Sequence, residues 1–103
     1  MLNNKDEVGN YPLYYACLSG QLLLVANLVK AGADIEAKNE KNNTAMHAAF
    51  KTKNENIIYF LLKKGASPVE LNSDHEAPID YSSTHLIDIL GLQEYKKFRS
   101  KED

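Results

Sequence analysis

Residues 43–53 read NTAMHAAFKTK, and a stretch of the same kind lies 33 positions earlier, where residues 10–20 read NYPLYYACLSG. The same offset carries KAGADIEAKN, at residues 30–39, onto KKGASPVELN, at residues 63–72. A further step of 33 reaches API at residues 77–79. This fixed interval predicts a tandem array of similar units.

Each unit has the same order: a polar turn, a short helix rich in small residues and a second, more apolar helix. In the middle unit we place the turn at residues 39–43 and the first helix at residues 45–52. Apolar residues of the second helix follow at positions i, i+1, i+4 and i+5, which share one helix face. They are Ile57, Ile58, Leu61 and Leu62.

Residue types at the ends of these helices support the assignment. Thr44 is predicted to cap a first helix with its hydroxyl. Pro12 and Pro78 suit the first helical residue, where no backbone N–H is needed. Gly32 and Gly65 suit a left-handed helix end.

The TAMHAA stretch at residues 44–49 and the GAD stretch at residues 32–34 resemble the ankyrin repeat family. The resemblance implies an all-α fold, an ankyrin-repeat solenoid of about three helix-turn-helix repeats with protruding turns. We expect one domain over residues 1–103, with repeats at about 6–38, 39–71 and 72–95 and a polar tail at 96–103.

The last repeat departs from the pattern. THLIDILGL, at residues 84–92, arrives about four residues early, which predicts a shortened C-terminal cap. His75 stands in the turn position that the family gives to Gly, and Asn42 stands there in the middle repeat. Because His tolerates a left-handed backbone less well than Asn, we expect a distorted last turn.

Composition excludes several classes of function. A formal net charge of -2 indicates no basic surface for nucleic acid or an anionic membrane. The longest apolar run, residues 22–26, is far shorter than the roughly 20 residues that span a bilayer. Cys17 is the sole cysteine, which excludes an intrachain disulfide and favours a reducing, intracellular location, cytoplasmic or nuclear.

No catalytic, cofactor-binding or metal-binding pattern is found. His47, His75 and His85 lack the spacing of a zinc site. The resemblance implies that His47 bonds to the turn backbone and to Thr44. Cys17 is interpreted as a core thiol rather than a nucleophile.

The resemblance implies that the turn tips and the exposed side of the first helices bind another protein. The predicted partner-binding residues are Glu7, Val8, Asn10, Tyr15, Leu18, Glu40, Lys41, Asn43, Ala48, Lys51, Ser73, Asp74, Glu76 and Tyr81.

Three of these residues repeat at the 33-residue interval: Tyr15, Ala48 and Tyr81. We predict a shallow groove over Ala48, flanked by the two tyrosines, with Glu40, Lys41 and Asp74 on its rim. Tyrosine is common among binding hot spots. The alternative is that Tyr81 packs inside the altered last repeat.

The chain is therefore interpreted as a noncatalytic protein-interaction module. The alternative is a regulatory or scaffolding fragment of a larger multidomain protein or enzyme. Leu22 and Leu23 replace the Glu55 and Asn56 of the next repeat. They either cover an open end, contact a partner or a second copy, or pack locally under the N-terminal arm. We expect a monomer or a weak homo-oligomer through this end.

Overall fold

The computed structural model describes residues 3–6, 9–82 and 84–93, and within them every regular element is helical. The elements are α1 (Pro12–Leu18), α2 (Leu22–Lys30), α3 (Ala45–Lys51), α4 (Glu55–Lys63), a 3-10 helix η1 (Pro78–Tyr81) and α5 (Thr84–Leu90).

The turns are held by one side chain per repeat. Oδ1 of Asn39 accepts hydrogen bonds from the backbone N–H groups of Lys41 and Asn43, at 2.9 and 3.0 Å. Oδ1 of Asn72 accepts in the same way from the two equivalent N–H groups of its own turn. These bonds replace water on backbone donors, so each turn keeps one shape.

Neighbouring turns are joined by amide side chains. Nδ2 of Asn39 donates to Oδ1 of Asn10 at 2.9 Å, and Nδ2 of Asn72 donates to Oδ1 of Asn43 at 2.8 Å. The three turns are therefore held at a fixed spacing along one edge of the molecule.

His75 adopts the regular turn rather than a distorted one. Its φ of 62° matches the 63° of Asn42, and its N–H bonds to the carbonyl of Asn72 at 3.0 Å, as Asn42 does to Asn39 at 2.9 Å. The prediction of a distorted last turn is wrong, because the hydrogen bonds of the turn impose the left-handed backbone.

The predicted helix ends are confirmed. Thr44 caps α3: its hydroxyl accepts from the backbone N–H of His47 at 3.4 Å, and Nδ1 of His47 accepts from the N–H of Thr44 at 3.0 Å. Pro12 and Pro78 begin their helices. The glycine after α4, Gly65, has a φ of 92°.

The core lies where the helices of successive repeats meet. The helix α3 packs against α1 on one side and η1 on the other, while α2 packs against α4. Ala48 and Ala49 are fully buried, which lets the first helices approach closely. On α4, Ile57, Ile58 and Leu61 are fully buried and Leu62 is half-buried.

The shortened last repeat is confirmed. Its first helix is reduced to the four residues of η1, and α5 begins four residues earlier than the 33-residue interval would place it. Leu86 and Ile87 bury the inner face of α5 against the core. The predicted polar tail at 96–103 lies outside the described residues.

Candidate functional site

The turns and first helices of the first two repeats enclose a groove of about 500 Å³. We call it the concave groove. Its lining residues come from two turns and two first helices: Asn10, Tyr14, Leu18, Asn39, Glu40, Lys41, Asn43 and Lys51.

Tyr14 forms the base of the concave groove. The side chain is only 7% exposed. Burial raises the pKa of Tyr14, so the hydroxyl stays protonated at neutral pH. The helix side of the groove therefore ends in a largely buried, neutral phenol.

The walls of the concave groove combine one apolar and several charged side chains. Leu18, at the end of α1, is 37% exposed. Glu40, Lys41 and Lys51 are exposed on the turn tip and on the last turn of α3. A partner with mixed charge and at least one apolar side chain would complement this lining.

Tyr15 does not line the concave groove. Its hydroxyl donates to the carboxylate of Asp6 and accepts from Nδ2 of Asn10 at 3.2 Å. The side chain is 45% exposed beside a smaller depression of about 260 Å³ that the N-terminal segment helps to line.

Ala48 cannot form the exposed base of a binding groove, because it is fully buried. On α3, Ala48 is buried where this helix packs against the neighbouring repeats. Tyr15 occupies the equivalent position on α1, where the described structure places no earlier repeat. The groove predicted over Ala48 is therefore wrong, and the observed groove lies beside Tyr14.

Tyr81 is half-buried within the last repeat, as the alternative interpretation predicted. Its hydroxyl donates to Oε1 of Glu76 at 2.7 Å, and its ring meets the ring of His47 edge-on at 6.4 Å. Burial and the bond to Glu76 raise the pKa of Tyr81 to about 12. The same bond lowers the pKa of Glu76.

The remaining predicted residues lie along the turn edge. Ser73 and Asp74 are exposed, and Asn10, Asn43 and Glu76 are half-buried. Ser73 is linked to the preceding turn, since its N–H donates to the carbonyl of Lys41 at 2.9 Å. The other two predicted residues, Glu7 and Val8, lie outside the described residues.

His47 connects two repeats through its ring. Nε2 donates to the carbonyl of Glu76 at 2.9 Å, which leaves Nδ1 as the acceptor for Thr44. Burial lowers the pKa of His47 and so favours the neutral ring. The structural role implied by the resemblance agrees with this geometry.

The sole cysteine of the chain lies in the core. Cys17 is fully buried, and burial raises the pKa of its thiol to about 12, which keeps the thiolate population negligible. The described residues include no group of three or more His, Cys, Asp or Glu side chains placed to hold a metal ion.

Sequence reasoning missed Tyr14 and Asn39. Asn39 carried a detectable signal, because an Asp or Asn stands at this turn position in every repeat. The three residues are Asp6, Asn39 and Asn72. Tyr14 carried none, because His47 and Asp80 occupy the same position in the other repeats.

Comparison with known proteins agrees with the helical repeats. A family model described as ankyrin repeats (3 copies) matches residues 1–84. Ankyrin repeat and SOCS box protein 5 of Bos taurus is 37% identical over 83 residues, which are 80% of this chain and 25% of that protein. The putative E3 ubiquitin-protein ligase XBAT35 of Arabidopsis thaliana is 35% identical over 78 residues, 73% of this chain and 17% of that protein.

A third relative is the chloroplastic ankyrin repeat domain-containing protein EMB506 of Arabidopsis thaliana, 44% identical over 57 residues, 55% of this chain and 18% of that protein. The chain thus spans a quarter or less of the length of these relatives. Within the described residues, no helix has the length and apolar character needed to cross a membrane.

Proposed function

The chain belongs to the ankyrin repeat family, whose repeats are generally noncatalytic protein-interaction modules, and we propose that it binds a partner protein through its concave groove. The observation that supports this proposal best is the hydrogen-bonded set of Asn10, Asn39 and Asn43 in the groove lining. These side chains are already ordered by hydrogen bonds, so little conformational entropy is lost when a partner binds.

The proposed contact residues follow the groove and its turn edge. They are Asn10, Leu18, Glu40, Lys41, Asn43 and Lys51, extended along the last turn by Ser73, Asp74 and Glu76. Tyr15 would extend the contact at the N-terminal edge, and Glu7 and Val8 stay predictions. Tyr81 supports Glu76 from within the last repeat rather than contacting the partner directly.

Site-specific photocrosslinking tests this proposal. A photoreactive residue replaces Leu18 in the concave groove, and a second protein carries it at Asn27 on α2, which is exposed and does not line that groove. We expect one partner to be captured from Leu18 and not from Asn27, and to be lost when Lys51→Glu reverses the charge of the wall. Capture from Asn27 alone would contradict the proposal.

A second proposal is that the chain acts as a regulatory or scaffolding part of a larger protein or enzyme. The relatives favour it, since each is several times longer than the stretch that it shares with this chain. Native mass measurement of the endogenous protein distinguishes the two. A mass far above 11.6 kDa for one polypeptide would support the larger protein.

The proposal also covers the ligands that the chain does not bind and its location in the cell. We propose no cofactor, no metal, no nucleic acid and no membrane as ligands, and a cytoplasmic or nuclear location. The net charge of -2 supports the exclusion of nucleic acid. A monomer or weak homo-oligomer through Leu22 and Leu23 is also proposed, and sedimentation of the purified chain tests it.

A further inference from the structure

A second groove, which we call the outer groove, runs between α2 and α4 and has a volume of about 470 Å³. Leu22, Leu23 and Ala26 line it from α2, and Tyr59 lines it from α4. Leu23 is 76% exposed and Tyr59 is 54% exposed. Local packing under the N-terminal arm therefore does not account for Leu23 in the described structure.

Repeat stacking does not require apolar residues at this surface. The positions of Leu22 and Leu23 are held by Glu55 and Asn56 in the middle repeat, and α4 still packs with its inner face fully buried. An exposed apolar surface beyond the needs of the fold is typical of an interaction site.

The outward side of α4 carries an ordered charge pattern. Glu55, Tyr59 and Lys63 follow one another at intervals of four residues, and all three are exposed. Residues four apart lie on the same side of a helix. The acid stands at the start of α4, the base at its end, and the aromatic ring between them, with Nζ of Lys63 5.2 Å from the Tyr59 ring centroid.

This pattern is complementary to itself when its direction is reversed. An antiparallel copy of α4 would place Glu55 opposite Lys63 at both ends, whereas a parallel copy would place like charges together. Isologous dimers need such a self-complementary surface. The charges thus favour a second copy of this chain as the occupant.

We propose that the outer groove docks on the outer groove of a second copy, with the two α4 helices antiparallel across a twofold axis. The axis passes near Tyr59, Glu55 of each copy faces Lys63 of the other, and Leu23 is covered. None of the residues that line the outer groove lines the concave groove. The dimer rests on the proposed association through Leu22 and Leu23 and leaves both concave grooves open, so its failure would remove that association without affecting the proposed partner binding.

Charge exchange tests the proposal in sedimentation velocity, with the full chain examined from low micromolar to millimolar concentration. Wild type is expected to shift from monomer to dimer. Glu55→Lys and Lys63→Glu, each alone, should weaken dimerisation by about tenfold or more, because each creates two like-charge contacts. An equimolar mixture of the two variants should recover dimers, because every facing pair is then opposite in charge.

The control variant is Lys51→Glu, which also reverses a charge in the last turn of a helix but on the concave side. It should dimerise as wild type does. Recovery in the mixture also guards against misfolding, since two unfolded variants cannot form the dimer together. A monomer at millimolar concentration would overturn the proposal. So would single variants that dimerise normally, or loss of association by Leu23→Ser with no effect of either charge reversal.

Discussion

At the scale of the residue, the left-handed position of each turn carries unequal strain. Gly9, Asn42 and His75 hold this position with φ values of 83°, 63° and 62°. Glycine adopts such a backbone without steric cost, whereas histidine does not. We expect His75→Gly to raise the free energy of unfolding by about 0.5–1 kcal/mol in urea denaturation.

Ser73→Gly is the matched control, because Ser73 lies in the same turn without a positive φ. It should lower stability or leave it unchanged. Gly9→Ala should destabilise the protein more strongly than Ser73→Gly does. The added Cβ would overlap the side chain of Glu40 and lie 3.0 Å from the backbone nitrogen of Glu40. Stabilisation by Ser73→Gly equal to that by His75→Gly would contradict the strain argument.

The buried ring of His47 makes stability depend on pH. Burial lowers the pKa of His47 in the folded chain below its ordinary value of 6.5, against the opposing hydrogen bond to Glu76 and the carboxylates of Glu70, Glu76 and Asp80. The unfolded state therefore binds more protons in this range. The free energy of unfolding should therefore be highest above pH 6.5 and fall as the pH drops through the lowered pKa of His47 in the folded chain.

Urea midpoints at about pH 7.5 and about pH 5.5 measure this effect, above the range in which carboxylates titrate. His47→Gln removes the titrating group, so the difference between the two midpoints should shrink in that variant. An unchanged difference in His47→Gln would assign the pH dependence to other groups.

At the scale of the element, the turn is a hydrogen-bonded unit organised by one amide. Asn39 is only 9% exposed and joins the backbone of its own turn to Asn10 of the preceding one. Its loss leaves backbone donors without their partner. We expect Asn39→Ala to cost about 2–3 kcal/mol of unfolding free energy.

Asn56→Ala on the exposed side of α4 provides the comparison, and its effect should stay within about 0.5 kcal/mol. Because Asn39 lines the concave groove, that groove should lose order along with stability. Faster amide hydrogen exchange at Lys41 and Asn43 would report this local loosening. Equal effects of the two alanine substitutions would argue against the turn as a unit.

Some features of the helices could be predicted from the sequence, and others could not. Capping by Thr44, the proline starts and the early α5 followed from residue type and interval, since these features are local. The choice between Tyr14 and Tyr15 did not follow, because adjacent helical residues point about 100° apart and the interval alone does not give the direction of either. The outer groove likewise depends on how α2 and α4 pack.

At the scale of the whole molecule, the same repeat position has different surroundings in different repeats. Ile57 on α4 is fully buried, whereas Leu24, 33 residues earlier on α2, is 41% exposed. Ala48 and Tyr15 show the same contrast between α3 and α1. In a stacked array each repeat is stabilised by its neighbours, so burial depends on place in the stack as well as on residue type.

Placing leucine at this shared position in two repeats tests the principle. Ala48→Leu inserts volume between closely packed helices and should cost about 1–3 kcal/mol of unfolding free energy. Tyr15→Leu puts the same residue at the exposed position on α1, loses the exposed hydrogen bonds to Asp6 and Asn10, and should cost about 1 kcal/mol or less. Both are measured by urea denaturation of the full chain. A loss from Tyr15→Leu as large as that from Ala48→Leu would mean that α1 is covered in solution as α3 is, because the exposed hydrogen bonds of Tyr15 alone contribute less.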